Sequence, residues 1–164
     1  MSKVLHSAPR FASNEGVVEA LTKALGTMLV AAEEQHGEVV LTIQRGEIAN
    51  ALRTLRDGHE YQQLMEIAGV DYPDRAERFE VVYMLLSVTK NHRLLVKVNA
   101  AENTPVPTVT TLWPNAGWLE REVFDLYGVI FEGNQDLRQF DFLSPWEGAD
   151  YVLPGDEKAE GDKA

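Results

Sequence analysis

Cysteine is absent from all 164 residues, which excludes disulfides, cysteine-ligated zinc, iron–sulfur clusters and thiol nucleophiles within this chain. Basic residues are scarce as well: 15 Lys and Arg stand against 26 Asp and Glu, a formal net charge of −11. General nucleic-acid binding needs a basic stripe that replaces phosphate counterions, so that class is excluded, and proteins with basic patches or small molecules remain as partners. No apolar run approaches the roughly 20 residues that span a bilayer, and the longest candidate, residues 25–32, contains a Gly and a Thr. Any membrane location would be borrowed from a partner, and the chain reads as cytoplasmic. Neither a Gly-rich phosphate loop followed by Lys-Ser/Thr nor a Rossmann glycine triplet is present. His6, His36, His59 and His92 are scattered without His-x-x-x-His or His-Glu pairing, which favours structural or solvent-exposed roles over metal ligation.

What is there suits one ordinary globular domain: 45% of residues are hydrophobic and 25% charged, at a length that supports a real core. The first acid is Glu15, and Lys3, His6, Ser7, Arg10 and Ser13 precede it. This stretch has no apolar core of a signal peptide, so 1–13 is expected to be a flexible arm. The domain proper is expected over 14–140, an extended segment over 141–164, and disorder from about Pro154, where acids replace aromatics and β-branched residues.

Apolar residues from Val17 to Leu29 fall at helical spacing, with Ser13 or Asn14 as N-cap and His36-Gly37 as terminator. Residues 39–44 form a β-rich run, and Ile48, Ala51, Leu52 and Leu55 mark a second helix over about 47–56. A short helical turn is expected over 60–68, stopped by Gly69, with a loop over 69–75. Residues 79–89 are apolar on both alternating faces, as in a central strand covered on both sides. Residues 90–93 then look like a hairpin loop before an antiparallel strand over 94–98, an exposed loop over 100–107 and an edge piece over 109–112. The order predicts an α+β fold, two-layered, with helices packed on one mixed, largely antiparallel sheet.

Charge and aromatics are densest in Trp113-Pro-Asn-Ala-Gly-Trp-Leu-Glu-Arg-Glu-Val-Phe-Asp-Leu-Tyr-Gly128. Pro114 suits a first helical turn and Gly128 a left-handed stop, so a helix over about 115–127 is predicted. At about 100° per residue, Leu119, Val123, Phe124, Leu126 and Tyr127 share one arc, while Trp118, Arg121, Glu122 and Asp125 share the other. Glu120 projects between Tyr127 and Phe124, where an unpaired carboxylate would cost several kcal/mol, so it must find donors or lie at the rim.

These acids are the only catalytic candidates. Glu120 and Glu122, two apart on a helix, point about 200° away from each other and do not converge. Glu122 and Asp125 could share a divalent cation, as a small carboxylate-dependent hydrolase would require, but Arg121 competes for them. The mixture of Trp118 with Arg121, Glu122 and Asp125 fits a protein interface better, an aromatic anchor beside charges that select the partner.

Glu120-Arg-Glu-Val-Phe-Asp-Leu-Tyr127, with Gly128 and later Asp136-Leu-Arg138, resembles the signature of the 30 kDa subunit of NADH:quinone oxidoreductase, respiratory complex I. The likeness extends through Val106 to Trp118 and Gly69 to Pro73, covering about 61–138. Asn134 departs from the His or Lys usual in that signature, as do Phe140, Asp141 and the Trp146-Glu-Gly-Ala-Asp150 ending. The resemblance implies a non-catalytic structural subunit with no cofactor of its own, the flavin and iron–sulfur clusters belonging to other subunits. It implies a place in the hydrophilic arm, peripheral to the cytoplasmic face of the inner membrane (matrix side if mitochondrial), against the quinone-site (49 kDa) subunit and its iron–sulfur neighbours. Trp118, Arg121, Glu122, Asp125 and Arg138 would meet partners, while Glu120, Pro114 and Gly128 would be structural. The same signature occurs in membrane-bound hydrogenases and ferredoxin-driven complexes, which remain alternatives.

Overall fold

A computed structural model describes residues 11–137. The expectations for the arm up to residue 10, for Arg138 and for the segment beyond it lie outside the described residues.

Three helices lie on one face of a five-stranded sheet, as expected for a two-layer α+β fold. The helices are α1 (Val17–Leu25), α2 (Ile48–His59) and α3 (Ala116–Tyr127). The strands are β1 (Leu29–Gln35), β2 (Glu38–Ile43), β3 (Gln63–Asp71), β4 (Phe79–Ser87) and β5 (His92–Ala100), with spatial order β1-β2-β5-β4-β3. All neighbours are antiparallel except β2 with β5, so the sheet is mixed and largely antiparallel. Two short strands, β6 (Val106–Pro107) and β7 (Phe131–Glu132), pair in parallel beside α3.

The first predicted helix is too long. It stops at Gly26, whose φ of 51° and ψ of −122° suit a residue without Cβ, and the chain turns through a 3-10 turn into β1. His36-Gly37 closes the β1–β2 hairpin instead of ending a helix. No side chain caps α1: Asn14 offers only its backbone carbonyl, to the Val17 N–H. Its side chain accepts from His92 Nε2 at 2.9 Å and donates to Glu34 and Gly37. Residues 11–13 are not a free arm, since the Ala12 N–H donates to the Asn91 carbonyl and Phe11 lies 4.1 Å from the Arg93 guanidinium.

The turn of helix expected over 60–68 is the strand β3. A bulge between Leu64 and Glu66 brings Leu64 and Ile67, three apart, onto the same core-facing side, and so imitates helical spacing. Gly69 is a strand residue, and the loop begins after Asp71. The edge piece expected over 109–112 is a turn, the short strand falling at Val106–Pro107 instead.

β4 is hydrogen-bonded on both edges, and the helices cover only one of its faces, although Glu80 and Val82 on the other are also buried. Phe79, Val81, Tyr83 and Leu85 join Leu41, Val96 and Leu94 beneath Leu21, Leu25, Leu52 and Leu55 in the core. Met84, on the opposite face, is exposed, and β5 rather than β4 takes the middle position of the sheet.

Candidate functional site

α3 is fixed to the sheet at both ends and through its middle. Before it, Trp113 Nε1 donates to the Gln62 carbonyl at 2.7 Å, while Arg56 donates to the Leu112 carbonyl at 2.7 Å with its guanidinium over the indole. Asn115 Nδ2 donates to the Leu64 carbonyl, so the helix starts against β3. Pro114, which lacks an N–H, occupies the turn between these anchors. At the far end Gly128 adopts φ 74°, and its N–H donates to the Phe124 carbonyl.

Between the ends the helix rests on Gly69. A Cβ there would stand 2.6 Å from Tyr127 Cδ2 and 3.1 Å from Val123 Cγ1, so only glycine admits this approach. A glycine inside a β-rich run is the sequence sign of such a contact, and its other meaning, a helix stop, does not apply here.

Glu120 lies at the centre of the buried arc with no exposed surface. Its Oε1 accepts the Val109 N–H at 2.7 Å, and its Oε2 accepts Thr108 Oγ1 at 2.6 Å and Asn134 Nδ2 at 2.8 Å. The carboxylate therefore ties α3 to the residues that follow the paired strands β6 and β7. Desolvation raises its pKa, opposed by those three hydrogen bonds. Tyr83, fully buried, has its phenol raised well above 10, first by burial and then by the Glu120 charge, and its hydroxyl has no hydrogen-bond partner among the described residues. Thr108 and Asn134 join the site only through the fold; the one sequence signal for either is the departure of Asn134 from the family pattern.

The set expected to face a partner is divided by the structure. Trp118 is 66% exposed and Glu122 is exposed, as projected. Arg121, expected in solvent, is only 7% exposed: its guanidinium lies 5.4 Å from the Trp118 ring and its Nη1 is 4.0 Å from Asp136. Leu126, expected inside, is 57% exposed. The buried arc is centred near Glu120 and Tyr127 instead of Val123, which rolls Leu126 outward. No ion pair joins Arg121 to Asp125 among the described residues. There, too, both Asp125 carboxylate oxygens are buried without a hydrogen-bond partner. Beyond the helix Ile130 is 41% exposed.

No three acid or histidine side chains converge on a metal-sized point among the described residues, and Glu120 and Glu122 lie on opposite sides of α3. Nor is any helix among them long and apolar enough to cross a membrane. His92 serves structure: its Nε2–H donates to Asn14, so its Nδ1 accepts from the Tyr61 hydroxyl at 2.9 Å.

Fold and site together define a small α+β domain whose third helix turns an aromatic face outward. Residues 41–157 match the family model of the respiratory-chain NADH dehydrogenase 30 Kd subunit. The chain is 56% identical to the corresponding NADH-quinone oxidoreductase subunit of Novosphingobium aromaticivorans, over 95% of this chain and 65% of that protein. It is 55% identical to the same subunit of Erythrobacter litoralis, over 96% of this chain and 81% of the relative. Among solved structures, the trypsin-resistant fragment (1-134) of Nqo5 superposes with a TM-score of 0.65 at 33% identity, covering 74% of this chain and 98% of the fragment. A chain of the membrane-bound sulfane sulfur reductase, an archaeal respiratory membrane complex, shares the fold with a TM-score of 0.67 at 24% identity, over 84% of this chain and 78% of that one. The chain belongs to the 30 kDa subunit family of the respiratory-chain NADH dehydrogenase.

Proposed function

We propose that this chain is a structural, non-catalytic subunit of the hydrophilic arm of a proton-translocating NADH:quinone oxidoreductase. It supports the quinone-site (49 kDa) subunit and its iron–sulfur neighbours while those pass electrons from NADH to quinone. The arm then sits peripherally on the cytoplasmic face of the inner membrane, with flavin and clusters carried by partners.

The observation that carries the reading is the outward face of α3. Trp118 stands 66% exposed above a nearly buried Arg121, Leu126 is exposed two turns further along the helix, and Ile130 is exposed beyond its end. Large exposed aromatics beside a charge are the composition of interface hot spots. Arg138 belongs to the same proposed contact through the resemblance.

Chain capture from detergent-solubilised membranes tests the assignment. Recovery of an NADH-binding flavoprotein and the quinone-site subunit is the expected result. A nickel–iron large subunit in their place would assign the chain to a hydrogenase-type complex instead.

A further inference from the structure

With all three helices on one face of the sheet, no helix covers the opposite face among the described residues, although Val40, Val82 and Glu80 are buried there between their neighbours. Along it Met84 on β4 and Met65 on β3 are 40% and 55% exposed, and Leu86 and Leu95 are half-buried beside them. Together with Phe11 these residues form a mainly apolar trough of about 710 Å³. Glu38 on β2 and Glu66 on β3 also line it, and neither side chain has a hydrogen bond or ion pair among the described residues. Arg93 is the one cation lining the trough among them, and Phe11 covers it. Lys97, further along the same face, is neutralised by Glu80 at 3.2 Å.

Pattern and charge both specify an occupant. A sheet with one covered face normally exposes polar alternation on the other, whereas here methionine and leucine occupy positions that solvent would fill with charge. Methionine is the adaptable apolar residue of docking surfaces. Unpaired carboxylates at the trough, on a chain of net charge −11, favour a cationic partner over an acidic one or a second copy of this chain. The trough lies on a sheet face and not at a strand edge, so a helix laid across it, making a third layer, fits better than an added strand.

We propose that the trough on this helix-free sheet face docks an amphipathic helix of a second protein subunit, its apolar stripe on Met65, Met84, Leu86 and Leu95 and its Lys or Arg residues against Glu38 and Glu66. This rests on the reading of the chain as an assembly subunit. It adds a contact on the side of the molecule opposite α3, so that the chain is clamped between two neighbours.

The lack of cysteine makes the test direct, because Met84→Cys and Trp118→Cys each introduce the chain's only thiol. Maleimide labelling of this subunit is timed in the isolated full chain and in the complex purified from membranes. The Met84→Cys thiol should react readily in the isolated chain and about tenfold or more slowly in the complex, since thiol reactivity follows access. A Glu38→Lys/Glu66→Lys background, which alters only surface charge, should restore most of that labelling. Equal labelling in both states overturns the inference, whatever Trp118→Cys reports, and Trp118→Cys alone tests the contact through α3. Protection already present in the isolated chain also overturns it. That protection would point to a second copy if it depends on concentration, or to the chain's own residues 1–10 if deleting them removes it. Protection in the complex that ignores the charge reversal refutes the cationic partner.

Discussion

Glu120 is where the physical cost and the structural return are most concentrated. No cation pairs with it among the described residues, yet three donors converge on it and connect α3 to residues 108, 109 and 134. Glu120→Ala should cost about 3 kcal/mol by stranding those donors, as urea denaturation would measure. Its pKa is raised on folding, so the folded state holds the proton more tightly than the unfolded chain. The resulting stability is complete below the ordinary value of 4.5 and is lost as pH rises through the raised folded value. Glu120→Gln should therefore lose the gain in stability that the natural chain shows on acidification towards 4.5; an unchanged pH slope would contradict this. That Glu120 needs donors is legible from its place in the helical projection. Which donors it finds is not, because Thr108 and Asn134 are brought to it only by the pairing of two-residue strands. Gly69 carries the complementary lesson. Gly69→Ala should cost about 1–3 kcal/mol by driving a methyl into Tyr127, and Tyr127→Leu in the same chain should recover part of the loss.

Elements are legible where punctuation and period agree. Pro114 and Gly128 bracket α3 within one residue of its observed ends, and α2 and β5 follow their apolar patterns, running two or three residues beyond them. They are illegible where a backbone irregularity shifts the period. The β3 bulge spaces core residues like a helix, and Met28 and Leu29 continue the α1 period beyond a glycine that ends it. Gly26→Ala should accordingly cost about 1–2 kcal/mol, because that backbone geometry excludes a Cβ. Thermal unfolding followed by circular dichroism measures it, and an unchanged melting temperature would mean that α1 does not end there. The roll of α3 is likewise illegible from hydrophobicity. Glu120 bonded to Val109 and Tyr127 seated on Gly69 set the buried arc, which leaves Leu126 outside and Arg121 inside.

At the scale of the molecule, a two-layer domain with an aromatic helix face on one side suits a component that holds others in place. The family is legible from the Glu-Arg-Glu-x-x-Asp core at 120–125, the stretch on which the resemblance rests. The proposed partner surface is legible only in part, because Arg121, 7% exposed, has too little exposure to be its main contact. Charge reversal at Arg121 would disturb folding as well as docking. Trp118, 66% exposed, separates the two. The most direct measurement is the amount of assembled complex in membranes carrying Trp118→Ala, read on a native gel beside NADH:quinone turnover per assembled complex. Assembly should fall by about half or more, with turnover per complex and the melting temperature of the isolated chain unchanged. Full assembly in the variant, or normal assembly with reduced turnover, would contradict a structural role exercised through α3.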